Sequence, residues 1–144
     1  MSLFRRRPRV AAELPTGFHA GEALALQASV LSALTAVERA TGGPVPVLLE
    51  VDAGRPPRLV LVCRNLVVGF VPEACAGPLD AQRTAAGRAR LVVPGLLHRD
   101  ERLWRVWAGP VPAEGLPAVP PGTDTLAAAP VTVLGIPLGR PAGE

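Results

Sequence analysis

The chain predicts an α+β domain: a small antiparallel sheet, curved or closed into a barrel, with one long N-terminal helix and a short broken helix. Three observations predict this. Residues 58–72 (RLVLVCRNLVVGFVP) form an apolar, largely β-branched run interrupted only by Arg64-Asn65. Two such runs separated by two residues read as a β-hairpin, and Asn tolerates the left-handed turn that closes it. Residues 20–41 (AGEALALQASVLSALTAVERAT) are rich in Ala and Leu, free of Pro and followed by Gly42-Gly43, the signature of a helix and its stop. Residues 44–52, 88–95 and 102–109 are shorter segments of strand character.

In chain order, residues 1–18 read as a basic, flexible leader ending in a Pro-Thr-Gly turn. The helix over 20–41 carries two apolar stripes. Leu24, Ala28, Leu31 and Leu34 or Thr35 make one, and Leu26, Val30, Ala33 and Val37 the other. Two stripes predict cover on more than one side, by the sheet and by a partner. In 44–52 (PVPVLLEVD), Val45, Val47, Leu49 and Val51 share a face opposite Glu50 and Asp52, and Pro46 marks an edge or a strand start. The hairpin follows; both of its faces are greasy, which predicts a place in the middle of the sheet.

Pro72 ends the hairpin and Glu73 opens a helix that Pro78 should split, with Gly87 as its stop. Residues 88–95 (RARLVVPG) and 102–109 (RLWRVWAG) are strands, with His98-Arg99-Asp100-Glu101 as the polar turn between them. Trp104 and Trp107 fall on opposite faces, so one should be core and the other partly exposed. Residues 110–144 read as a Pro-rich linker of polyproline II character and a tail, with one short strand at 131–136. The domain proper is then 19–109.

Composition narrows function. Aromatics are 3% of the chain, so the core must be aliphatic. Lys is absent while Ala, Gly, Pro and Arg abound, which reflects a GC-rich genome rather than a task. Arg5, Arg6, Arg7 and Arg9 hold the excess positive charge; the other eleven arginines face twelve acids. A nucleic-acid binder that works by electrostatics would carry its own basic face, so the leader is the expected source of any such affinity. Cys63 and Cys75 are expected as reduced thiols, not a disulfide framework. The basic start lacks an apolar signal core and no stretch reaches membrane-spanning length, so a cytoplasmic location is expected and no integral membrane segment.

Chemistry is not signalled. The two histidines, His19 and His98, and the two cysteines lack close-paired ligand spacing, so no metal is expected. No glycine-rich phosphate loop follows a strand, no nucleophile elbow surrounds Ser29 or Ser32, and Asp100-Glu101 reads as a solvated turn. No cofactor and no catalysis are expected.

The segment Val68-Gly69-Phe70-Val71-Pro72, entering a helix from a strand and tight turn, resembles the HIRAN domain. The order of strand, loop, hairpin, helix and second hairpin over residues 45–109 is similar as well. HIRAN domains are small OB-like barrels that occur alone in bacteria or fused to helicases. The resemblance therefore implies an OB-like barrel with the short broken helix crossing it, binding single-stranded or damaged DNA or DNA ends; with no catalytic motif, the chain reads as a non-catalytic binding module. The family's Asn-x-x-Asp-x-x-Ala signature has no counterpart here, its place being held by Asp52-Ala53-Gly54-Arg55-Pro56-Pro57. The candidate nucleic-acid contacts are Arg55, Arg58, Arg64 and Phe70 around the hairpin, with Arg5, Arg6, Arg7 and Arg9 of the leader. The alternative is a protein-interaction or assembly module, in which the two-striped helix and Pro-rich segment meet a protein partner or a second copy.

Overall fold

The computed structural model describes residues 7–55 and 58–127, and the backbone of residues 131–133 and 136–138. The fold is α+β. Six antiparallel strands, β2 (Phe18–His19), β3 (Val45–Ala53), β4 (Leu59–Cys63), β5 (Leu66–Phe70), β6 (Arg90–Asp100) and β7 (Leu103–Ala108), form a curled half-barrel in the order β2-β7-β6-β3-β4-β5. A seventh, β1 (Arg9–Ala11), runs parallel to β6, with Arg9 opposite Arg90 and Ala11 opposite Val92. The eleven residues of β6 accept β3 along one side, and β1 followed by β7 along the other. The two edges of the sheet meet at one bridge. Gly21 N–H donates to the Phe70 carbonyl at 2.8 Å, and Phe70 N–H to the Gly21 carbonyl at 3.1 Å.

The inner face is aliphatic, as the shortage of aromatics requires. Leu49, Leu61, Cys63, Val68, Leu97 and Val106 are wholly buried there. Each buried Leu or Val contributes roughly 1.5–3 kcal/mol by leaving water. The alternation in β3 is as the sequence predicts: Val45, Leu49 and Val51 are buried, while Pro46, Leu48 and Asp52 are exposed. Pro46 lies where β3 pairs with β6 alone, before the β4 register begins at Glu50. No neighbour on the other side therefore needs its missing N–H.

The hairpin of β4 and β5 turns at Arg64-Asn65, both left-handed with φ of 51° and 68°, as a two-residue turn requires. It lies at one end of the strand order, not in the middle, and Val67 on β5 is exposed. Its register slips between Leu61 and Val62, leaving Val68 as the extra residue of a bulge. Gly69 beside it lacks room for a side chain: a Cβ there would meet the Ala20 Cβ at 2.5 Å.

The long N-terminal helix does not form. Residues 20–41 give a bridge and turn, then α1 (Gln27–Ala33) and α2 (Ala36–Thr41). Leu34 is extended with ψ 141°, because Thr35 starts a new helix as its N-cap. The Thr35 hydroxyl accepts from Glu38 N–H at 3.1 Å, and the Glu38 carboxylate accepts from Thr35 N–H at 2.8 Å. This reciprocal capping box outweighs the helix propensity of the run. One side of the segment is covered, by Val30, Ala33 and Leu34, while Leu24 and Val37 stay exposed, so the two stripes do not each find a cover. The Gln27 side chain pins α1 to β7, accepting from Trp104 N–H and donating to the Trp104 carbonyl.

The second helix is not broken. α3 (Glu73–Ala86) runs through Pro78 and stops at Gly87, with Leu79 buried in the core. The β6–β7 turn is tighter than expected: His98 and Arg99 belong to β6, and Glu101 takes φ 59° at the reversal. Both tryptophans are buried, Trp104 in the core and Trp107 on the opposite face.

Two tails supply the cover over the outer face. Residues 7–18 are built into the fold through β1, Arg7 and β2. Residues 110–127 have no regular structure but lie on the barrel as a strap. His19 Nε2–H donates to the Pro117 carbonyl at 2.9 Å, Arg105 pairs with Asp124 at 2.7 Å, and Glu22 holds Thr125 and Leu126. Where one strand was expected at 131–136, two short ones, β8 (Val131–Val133) and β9 (Ile136–Leu138), pair antiparallel. Among the described residues no helix is long and apolar enough to cross a membrane.

Candidate functional site

The eight sequence candidates do not make one site. Arg5 and Arg6 lie outside the described residues. Arg7 donates through Nε to the Arg88 carbonyl at 2.8 Å, which docks the leader against the entrance to β6. Arg9, on β1, lines a hollow of about 450 Å³ with Arg64, Asn65, Arg90 and Glu50, floored by Leu48 and Val62 of the outer sheet face. Arg55 sits exposed in the β3–β4 loop. Arg58 and Phe70 meet elsewhere, the guanidinium 5.2 Å from the ring centroid.

Within the hollow, the arginines differ in how fully they are engaged. Arg64 is a structural tie: it donates to the Ala33 carbonyl at 2.8 Å and pairs bidentately with Glu38 at 2.6 and 3.1 Å. That pair and the Thr35 cap hold the Glu38 carboxyl down to about 2 from its ordinary 4.5, and raise the Arg64 guanidinium above its own. Arg90 pairs with Glu50 at 2.8 Å, yet its Nε, buried, has no partner. Among the described residues, Glu50 is the one carboxylate lining the hollow, with Arg9, Arg64 and Arg90, and Glu38 beside it neutralises Arg64. With Arg7 and Arg88 beside it, this edge gathers five arginines. Arg88 and Arg90 were missed from sequence; the signal was there in the i, i+2 spacing of both Arg7/Arg9 and Arg88/Arg90, of which strand pairing brings Arg9 and Arg90 side by side and a hydrogen bond joins Arg7 to the Arg88 carbonyl.

The Arg58–Phe70 pair lies in a second, larger groove of about 930 Å³ between the barrel, the first turns of α3 and the strap. Its walls are mostly apolar: Phe70, Val71, Trp107 and the strap prolines Pro117, Pro120 and Pro121. Its lining includes Arg58 and His19 and the carboxylates of Glu22, Glu73 and Asp80. This is no continuous basic groove, although it contains the aromatic that a base would stack on.

No family model, curated protein or solved structure matches the chain. In the fold, Val68-Gly69-Phe70-Val71-Pro72 supplies the bulge of β5, the bridge at Phe70 and the entry to α3.

Both thiols are free; Cys63 is buried, Cys75 is half-buried, and burial pushes each above its ordinary pKa, away from the nucleophilic thiolate. No group of three or more His, Cys, Asp or Glu capable of holding a metal occurs among the described residues.

Proposed function

We propose that this protein is a non-catalytic, HIRAN-like binding module that takes nucleic acid by its phosphate backbone, using the arginine-rich edge where β1 joins β6. The observation that carries the reading is the pairing of Arg9 with Arg90 and of Arg7 with the Arg88 carbonyl, beside a hollow lined by Arg9, by Arg90 paired with Glu50 and by Arg64 paired with Glu38. The leader and the folded part then act as one surface, not as a tail and a neutral domain. Phosphate contacts position a strand without reading its bases, so binding is strong at low salt and indifferent to sequence. A preference for single strands or ends comes from the family resemblance alone.

A second reading, a protein-interaction module, is favoured by the larger groove. Its apolar walls and three carboxylates suit an extended apolar segment better than a polyanion.

Fluorescence anisotropy with a labelled single strand and a labelled duplex separates the two. The double variant Arg9→Ser/Arg88→Ser leaves the Arg90–Glu50 pair intact and should weaken binding by about tenfold or more at low salt. Phe70→Ala should change it little. If the arginine variant binds like wild type while Phe70→Ala abolishes binding, the ligand lies in the larger groove and the proposal fails.

A further inference from the structure

The strap covers a polar cluster on the outer face of β2, β6 and β7 that no part of the proposed binding edge uses. His98 lies opposite Arg105 in the β6–β7 register, and Trp107 opposite His19 in the β7–β2 register. The His19 and His98 ring centroids are 5.7 Å apart, and the His19 ring meets Trp107 edge-on at 4.9 Å. His19 is 6% exposed and Trp107 2%. Because His19 Nε2 donates to the Pro117 carbonyl, its Nδ1 carries the lone pair. That Nδ1, His98 Nε2, and Nε and Nη1 of Arg105 are all buried without a hydrogen-bond partner. Two unsatisfied ring nitrogens thus sit beside a buried guanidinium, directly under strap residues that are held by the same side chains.

We infer that the strap is an acid-released latch: taking up a proton at His98, beside His19, loosens residues 117–126 and uncovers Trp107. A proton on His98 places a second cation beside Arg105, where the ring's Nε2 is buried without a partner. The charges facing His98 are Arg105 from β7 and Asp100 from β6, while Asp124 of the strap meets Arg105. Asp100 lies 3.5 Å from Arg105 Nε, and Asp124 2.7 Å from Nη2, so both carboxylates are already engaged with the guanidinium. Opening the strap gives the imidazolium water and lets Asp124 and Arg105 part. Burial first, then His19, lowers the His98 pKa from its ordinary 6.5, with Arg105 adding to this and Asp100 opposing it. A lowered histidine pKa means the closed form is fully stable above 6.5 and loses stability as pH falls from there to the closed-state value. The second anchor acts in a separate window. Burial raises the Asp124 carboxyl, but the hydrogen bond and charge of Arg105 outweigh this and hold it below 3.8.

The chain has two histidines and two tryptophans, so proton NMR can follow each ring and each indole N–H through a titration from pH 7.5 to 5. Strap opening is read from exchange of the Thr125 and Leu126 amides, corrected for their intrinsic rates; in the closed form both donate to the Glu22 carboxylate. The open fraction should rise by up to about tenfold per pH unit below 6.5 for one proton taken up. The Trp107 indole should shift with it, while Trp104 in the core stays put. His98→Leu should flatten the dependence and Asp124→Asn should open the strap already at pH 7.5, with core amides protected in each variant. Should His98→Leu fail to fold, His98→Asn replaces it with the same expectation. Wild-type Thr125 and Leu126 protection that is flat between pH 7.5 and 5, or an unchanged pH dependence when His98 is replaced, would overturn the latch.

Discussion

Val68 shows how much a single position can decide. It is the extra residue of the β5 bulge and is wholly buried. Val68→Asp buries an unpaired carboxylate and should cost about 4 kcal/mol or more, enough to unfold a domain of ordinary stability. Urea melts of the variant test this; a midpoint equal to wild type would mean that β5 does not line the core. Glu38 offers a prediction in pH. Its carboxyl is depressed to about 2 from 4.5, chiefly by the hydrogen bond from Arg64. A depressed carboxyl contributes stability above 4.5 that is lost as pH falls through about 2. Glu38 stands at the surface, where solvent screens the pair and keeps the contribution modest. Urea midpoints of wild type and Glu38→Gln should therefore differ at pH 6 and converge toward pH 2. Parallel curves across that range would show that the Arg64–Glu38 tie contributes nothing.

At the level of elements, the helices test whether local sequence or the tertiary setting wins. Thr35→Ala removes the hydroxyl that caps α2 and should destabilise the protein by about 1 kcal/mol. Denaturant melts can resolve that, and an unchanged midpoint would mean that α2 is held by Arg64 alone. Pro78 sits inside α3 without kinking it apart, although it removes one helical hydrogen bond. Pro78→Ala restores that donor and should raise stability by about 2 kcal/mol, less the entropy regained by the unfolded chain. A lower melting temperature would show that Pro78 makes packing contacts that outweigh the lost bond. The strands were readable because alternation and the turn residues act locally: the β3 faces and the Arg64-Asn65 reversal follow from neighbours in sequence. The helices were misjudged for local reasons too. The Thr35-x-x-Glu38 pattern was present and outweighs propensity once its hydrogen bonds form, whereas α3 continues through Pro78 with Leu79 next to it buried in the core.

Across the whole molecule, what sequence could not show is joined over long distances. Glu22 meets Thr125, Arg105 meets Asp124 and Arg9 meets Arg90; no periodicity signals contacts between residues as far apart as 103 positions. The charge count separated a basic leader from a nearly neutral remainder, but strand pairing merges them: Arg7 and Arg9 stand with Arg88 and Arg90 at one edge of the sheet. Truncating the leader is for that reason a poor test of binding, since it removes Arg9 from β1 together with its charge. The salt dependence of DNA binding tests the account most directly. The five arginines that the described residues place on this surface should give a slope of log affinity against log salt of about −4 to −5 on duplex DNA. Arg9→Ser/Arg88→Ser should make that slope shallower by about 2, with no change in sequence preference. A slope that is the same in wild type and variant, or affinity that salt leaves untouched, would contradict a phosphate-binding edge at β1 and β6.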